Sequence, residues 1–297
     1  AQAIQQFRLQ NKDMKKHKIG FNLLPWSATM SEGLFPLMDR LKGIGYDGVE
    51  CLIGSDDAAA YKALGVHAQR IQMETTAVFV LGKAENPIDP DKQVRQRALD
   101  RIKWAVDRAA DMQAKVICGP FHSAHGHFSH QAPTADEYAW SAEVLHAAGA
   151  YAQQADIVFA LEAVNRFETY LCNTMEQLTK LLRLVDHPSV RAMYDTHHAN
   201  IEEKSIHQPI EHISPYLAHV HISENDRGTP GEGLVHWDAV FKSLAQQQYE
   251  GWYTIESFSR ADPDFANAIN VWREFSAPWD IAEKGYTFIQ KMLLAHS

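Results

Sequence analysis

The chain has 297 residues, 45% of them hydrophobic, and a formal net charge of −9. That length and apolar content suit one large barrel or two ordinary domains, and the acidic balance repels phosphate backbones, which argues against a nucleic-acid partner. Cys51, Cys118 and Cys172, three in number and widely spaced, form neither a disulfide framework nor a cysteine metal knot and point to a reducing compartment, the cytoplasm; no apolar run approaches the roughly 18 residues of a membrane span.

Residues 1–13 are polar and lack turn or strand signals, so they read as a disordered or extraneous segment, a linker, or the remainder of a cleaved signal. The folded unit is expected over 14–297. From Lys18 onward, short apolar runs alternate with longer helical patterns. The predicted strands are Ile19–Leu23, Gly48–Ile53, Arg70–Val80, Val116–Gly119, Ile157–Glu162, Val190–Asp195, Ala218–Ile222 and Trp252–Glu256. The third run is too long for one barrel strand. Between them, Leu34, Leu37, Met38 and Leu41 recur at helical spacing, as do Leu99, Ile102, Val106 and Ala109, and then Leu178, Leu181, Leu182 and Val185. Thr134 and Glu137 form a capping box ahead of a long helix, and Gly45 and Pro188 mark returns from helix to strand. Eight strand–helix units in one chain of this length predict an α/β fold, a single (β/α)8 TIM barrel. An open doubly wound sheet would carry a glycine fingerprint after its first strand, and Gly20-Phe21-Asn22-Leu23-Leu24-Pro25 is not one.

Barrel active sites lie at the carboxyl ends of strands. Strands five to eight end, in turn, in Glu162, Asp195, His221 and Glu256. A carboxylate closing an apolar strand is costly to bury unless it is paired or metal-bound. One such residue alone could simply cap the next helix; four in succession predict a site for one divalent metal. The mix of oxygens with one nitrogen suits Mn²⁺, Co²⁺ or Mg²⁺. His219 and His221 share a strand face, and the one nearer the strand end, His221, is the expected ligand. His219 reads as a core or supporting histidine.

The segment Leu161-Glu162-Ala163-Val164-Asn165-Arg166-Phe167-Glu168 resembles the ketose 3-epimerases (D-tagatose, D-allulose and L-ribulose 3-epimerases) of the xylose isomerase-like superfamily. The likeness continues in Tyr194-Asp195-Thr196-His197-His198, in His219-Val220-His221-Ile222-Ser223-Glu224-Asn225-Asp226-Arg227, in Pro230-Gly231-Glu232-Gly233 with Trp237, and in Glu256-Ser257-Phe258. These motifs cover about residues 160–260; the N-terminal half agrees mainly in barrel pattern. The resemblance implies the same four metal ligands. It also implies that Glu168 contacts the sugar near its terminal hydroxyl, and that His198 and Arg227 bind the oxygens around the carbonyl. The alternatives are a helix-capping role for His198 and a loop-tethering ion pair for Arg227. The likeness weakens at the first strand, where Trp26 lies beyond Pro25. It weakens again after the fourth, where Cys118-Gly119-Pro120-Phe121-His122 leads to His125, His127 and His130. That histidine-rich loop reads as pocket-lining or solvated, with a second metal site as the alternative.

The implied chemistry inverts the carbon beside the ketone of a free ketose by proton transfer, with Glu162 and Glu256 as the two catalytic carboxylates acting through an enediolate. Competing readings are a related isomerase or an epimerase of another keto-sugar (an inosose or a 3-keto-glycoside), a metal-dependent phosphoester nuclease, and a non-catalytic sugar-binding barrel. A homo-oligomer, dimer or tetramer, with a sugar as the small-molecule partner is expected. The aromatic stretch from Val271 to Trp279 reads equally as a lid, a dimer contact, or a helix packed on its own barrel.

Overall fold

Eight short strands close on themselves in a computed structural model that describes residues 17–297. The reading of residues 1–13 lies outside the described residues. The strands are β1 (Lys18–Asn22), β2 (Gly48–Leu52), β3 (Glu74–Val78), β4 (Val116–Gly119), β5 (Val158–Glu162), β6 (Val190–Asp195), β7 (Leu217–Ile222) and β8 (Trp252–Ile255). Each pairs in parallel with the next, and β1 pairs with β8, so no edge is left open. The doubly wound alternative is thereby excluded. The helices are α1 (Phe35–Ile44), α2 (Ala58–Arg70), α3 (Lys92–Asp111), α4 (Ala135–Gln154), α5 (Met175–Val185), α6 (Thr196–Glu202), α7 (His207–Ile213), α8 (Trp237–Gln246), α9 (Pro263–Ala268) and α10 (Pro278–Ala295).

The helices start where the sequence supplies a cap. Asp57, Asp91 and Asp262 each accept a backbone N–H from the first turn they precede. Thr134 with Glu137, and Thr174 with Gln177, make reciprocal capping boxes on α4 and α5. Gly45, at φ 128°, ends α1 in a conformation that side chains other than glycine rarely adopt. On α5 the buried face is Met175, Leu178, Leu181, Leu182 and Val185, the face expected from spacing. Each such side chain contributes about 1.5–3 kcal/mol by leaving water.

The predicted strands agree with the observed ones to within a residue except the third. Arg70 ends α2, Gln72 turns the chain at φ 59°, and β3 starts only at Glu74. Asp195 and Glu162 close β6 and β5, while Glu256 is the first residue beyond β8. The barrel floor is filled by Trp252. A Cβ on Gly48 would lie 2.5 Å from its ring, and one on Gly20 would lie 2.6 Å from Thr254 Oγ1, so both positions require glycine by close approach. Apolar side chains dominate the layer between barrel and helices. The barrel interior departs from the usual aliphatic filling: Asn22, Glu50, Thr76, Cys118, His219 and His221 are all buried there and joined by hydrogen bonds.

Candidate active site

The closed barrel brings Glu162, Asp195, His221 and Glu256 together with one donor atom from each within 4.8 Å of the others. All four are buried. The neighbouring Arg227 places Nη1 3.5 Å from Asp195 Oδ2. Asp195 also caps α6: its Oδ1 accepts from the backbone N–H of His197 at 2.8 Å and of His198 at 3.2 Å. Its other oxygen, Oδ2, has no hydrogen-bond partner, and neither has His221 Nδ1, although both are buried. His221 Nδ1 lies 3.5 Å from Asp195 Oδ2 and closer still to Glu256 Oε2. Neither Glu162 nor Glu256 caps a helix, because the next helices are capped by Thr174 and Asp262. Two orphaned atoms and three crowded carboxylates form a donor set suited to a cation. Oxygen-rich ligation with one imidazole fits a hard or borderline divalent metal.

The electrostatics agree. Burial, together with the Asp195 and Glu256 carboxylates, raises the Glu162 carboxyl well above its ordinary range. Burial pushes Asp195 the same way, but Arg227, His198 and His221 outweigh it and hold it well below. Burial alone would lower His221; Glu50 and Glu256 reverse the sign and hold it well above its ordinary value.

The remaining predicted residues lie beside the cluster. The backbone N–H of Asn165 donates to His198 Nδ1 at 3.0 Å. The ring's Nε2 lies 3.5 Å from Glu162 Oε1 and 3.1 Å from Arg227 Nη2. His198 Nε2 and the Arg227 guanidinium thus stand side by side at the cavity. His198 does not cap a helix; it is buried in α6. Arg227 adopts φ 66° and donates to Ser223 Oγ at 2.7 Å, while its guanidinium lies over the Phe258 ring at 4.9 Å. Glu168 accepts from Asn165 Nδ2 at 2.5 Å and from His125 Nε2 at 3.0 Å. Burial would raise its carboxyl, but His125, His198 and Arg227 bring it down to about 2.

A cavity of about 790 Å³ opens above the cluster. Glu162, Glu256, Glu168, His198, Arg227, Asn165, His125 and His197 line it; Asp195 and His221 do not. Its apolar wall comes from Leu24, Leu52 and Phe258, and from the segment around Ile269, Val271 and Phe275. The aromatic stretch thus splits. Residues 271–275 wall the cavity, whereas Trp279 belongs to α10 and packs on Trp26 with ring centroids 4.6 Å apart. Trp26 does not reach the cavity.

His125 of the histidine-rich loop lines the pocket. Neither it nor His127 nor His130 enters a group of potential metal donors among the described residues. The second such group lies deeper and holds Glu50, Cys118, His219 and His221. Sequence reading had no signal for Glu50 beyond its being a carboxylate inside Gly48-Val49-Glu50-Cys51-Leu52. Cys51, Cys118 and Cys172 are buried and free. No helix among the described residues is long and apolar enough to cross a membrane.

Comparison with known proteins gives the same picture. The family model described as xylose isomerase-like TIM barrel matches residues 38–275. A ketose 3-epimerase of Arthrobacter globiformis is 31% identical over 267 residues, 88% of this chain and 91% of that one. An L-ribulose 3-epimerase of Methylomonas sp. is 29% identical, covering 93% of this chain and 98% of the relative. The crystal structure of D-allulose 3-epimerase from Methylomonas sp. in complex with D-allulose superposes with a TM-score of 0.85 at 28% identity, covering 93% of this chain and 96% of that chain. With its closed eightfold barrel and a carboxylate–histidine cluster at the strand ends, the chain belongs to the xylose isomerase-like TIM barrel family, among its ketose 3-epimerases.

Proposed function

We propose that the protein is a divalent-metal-dependent epimerase that inverts the carbon beside the ketone of a free ketose. The observation that carries this reading is the division of the cluster: Glu162 and Glu256 open to the cavity, while Asp195 and His221 lie behind them. A metal alone would need four donors; two of them facing the substrate space are placed for proton transfer as well. Glu162, Asp195, His221 and Glu256 would hold the ion, Mn²⁺ by preference with Co²⁺ or Mg²⁺ as substitutes, and when bound it polarises the carbonyl as a Lewis acid.

The chain's own residues do the rest. The Glu162 carboxylate takes the proton from one face of the carbon and leaves an enediolate. Glu256, which turns Oε2 toward His221, delivers a proton to the other face from Oε1. The Arg227 guanidinium, with His198 beside it, stabilises the oxygen charge that develops. Glu168, held by Asn165 and His125, binds a hydroxyl toward the sugar's end. The apolar wall around Phe258 and Val271 excludes water. A homo-oligomer in a reducing compartment belongs to the same proposal. It is supported by the exposed Phe167 and Trp272 at the cavity rim and by the three free thiols.

The test is a metal-stripped preparation offered a panel of free ketoses and 3-keto-glycosides, with each divalent ion added back. Activity should vanish on chelation and return with Mn²⁺ or Co²⁺, on free ketoses. An active preparation with no metal by elemental analysis overturns the metal reading. Turnover confined to 3-keto-glycosides overturns the substrate class.

A further inference from the structure

Glu50 is fully buried in the barrel interior, below the cluster, where an unpaired carboxylate would be prohibitive. It is saturated instead. Oε2 accepts from His221 Nε2 at 2.7 Å and from Asn22 Nδ2 at 2.9 Å. Oε1 accepts from His219 Nε2 at 2.9 Å, Thr76 Oγ1 at 3.1 Å and Cys118 Sγ at 3.2 Å. Five donors from four strands fix the carboxylate, and the fixed carboxylate in turn fixes the His221 ring. With the proton at Nε2 committed to Glu50, the other ring nitrogen, Nδ1, is turned to Asp195 and Glu256. Nδ1 is also one of the atoms left without a hydrogen-bond partner. A ring flip would bring a carbon against the Glu50 oxygen and remove the lone pair from the cluster.

We propose that Glu50 is a positioning residue: it locks the orientation and tautomer of His221 so that Nδ1, and not Nε2, serves as the metal-binding nitrogen. The inference rests on the metal reading given above. The same four side chains, Glu50, Cys118, His219 and His221, have the composition of a second metal site. Hydrogen bonding is the better account, because Asn22 and Thr76 occupy the carboxylate as well and neither is a competitive metal ligand. A partner that orients a ligating histidine commonly changes metal affinity by about 10–100-fold when removed.

The test uses the full chain and Mn²⁺ or Zn²⁺ as probes. Glu50→Gln should raise the Mn²⁺ dissociation constant by about 10–100-fold. Thr76→Val, which removes one donor from Glu50 but nothing from His221, should leave it within about 3-fold of wild type. Should Glu50→Gln not fold, the wild type answers by itself. In Zn²⁺-loaded protein labelled with ¹⁵N-histidine, one ring should show a metal-bound Nδ1 and a retained Nε2–H. Metal bound through Nε2, or wild-type affinity in Glu50→Gln, overturns the inference and leaves the metal reading intact. Two ions per chain with a thiolate absorption band in the Co²⁺ form also overturns it, since Glu50 would then be a ligand. A wild type that takes up no divalent ion overturns both.

Discussion

Asp195 divides its oxygens between two tasks: Oδ1 caps α6 and Oδ2 is left to the cluster. The sequence left helix cap and ligand as alternatives; the cap takes one oxygen and leaves the other available as a ligand. His122 shows a different balance. It is fully buried, its Nε2–H donates to the Glu162 carbonyl at 2.8 Å, and Nδ1 lies 3.0 Å from Ser123 Oγ, which donates to it. Burial lowers its pKa from 6.5 to about 4, so the folded protein binds this proton less readily than the unfolded chain. Its contribution to stability is complete above about 6.5 and is lost as pH falls toward about 4. Urea midpoints measured across that window should fall further in the wild type than in His122→Gln; parallel curves would contradict this. The four cluster residues were legible because a polar residue closing an apolar strand stands out. Glu50 was not, because its partners come from strands one, three, four and seven, and only closure of the barrel brings them together.

The loop from Ser223 to His236, between β7 and α8, carries Arg227 and is organised by one buried carboxylate. Glu224 accepts from the backbone N–H groups of Asn225 at 3.1 Å, Gly231 at 2.9 Å and Val235 at 3.0 Å, and from Trp237 Nε1 at 2.7 Å. These bonds tie the start of the loop to its end and hold Arg227 in its left-handed conformation. Glu224→Ala leaves those donors without their acceptor. We expect a loss of roughly 1–3 kcal/mol in urea unfolding, and a fall in kcat/KM as Arg227 loses its placement. Unchanged values in both measurements would show the loop to be held by other contacts. Strand and helix order was readable from alternation, and the capping boxes from four-residue patterns. The start of β3 was not, because Arg70-Ile71-Gln72-Met73 carries no glycine or proline, and the turn falls to Gln72 in a conformation that sequence does not advertise. Nor did spacing reveal that residues 269–275 wall the cavity, since that depends on how the chain returns over the barrel mouth.

At the scale of the whole molecule, the barrel supplies only the place; the fold carries many chemistries, and the choice lies in what the strand ends present. Among the described residues they present one cluster that opens to a cavity and, beneath it, a buried network centred on Glu50, with His221 shared by the two. The formal net charge of −9 and, among the described residues, one donor cluster facing the cavity run against a phosphoester nuclease, which needs several metals and a basic groove. The central claim is that Glu162 and Glu256 exchange a proton at the carbon beside the carbonyl from opposite faces. It is tested most directly by following a free ketohexose in D₂O with the Mn²⁺-loaded enzyme and its Glu162→Gln and Glu256→Gln variants. The account predicts deuterium at the inverted carbon with the wild type, and a rate about 10²–10⁴-fold lower in each variant. Inversion without deuterium gain, or wild-type rates in both variants with metal bound, would contradict it.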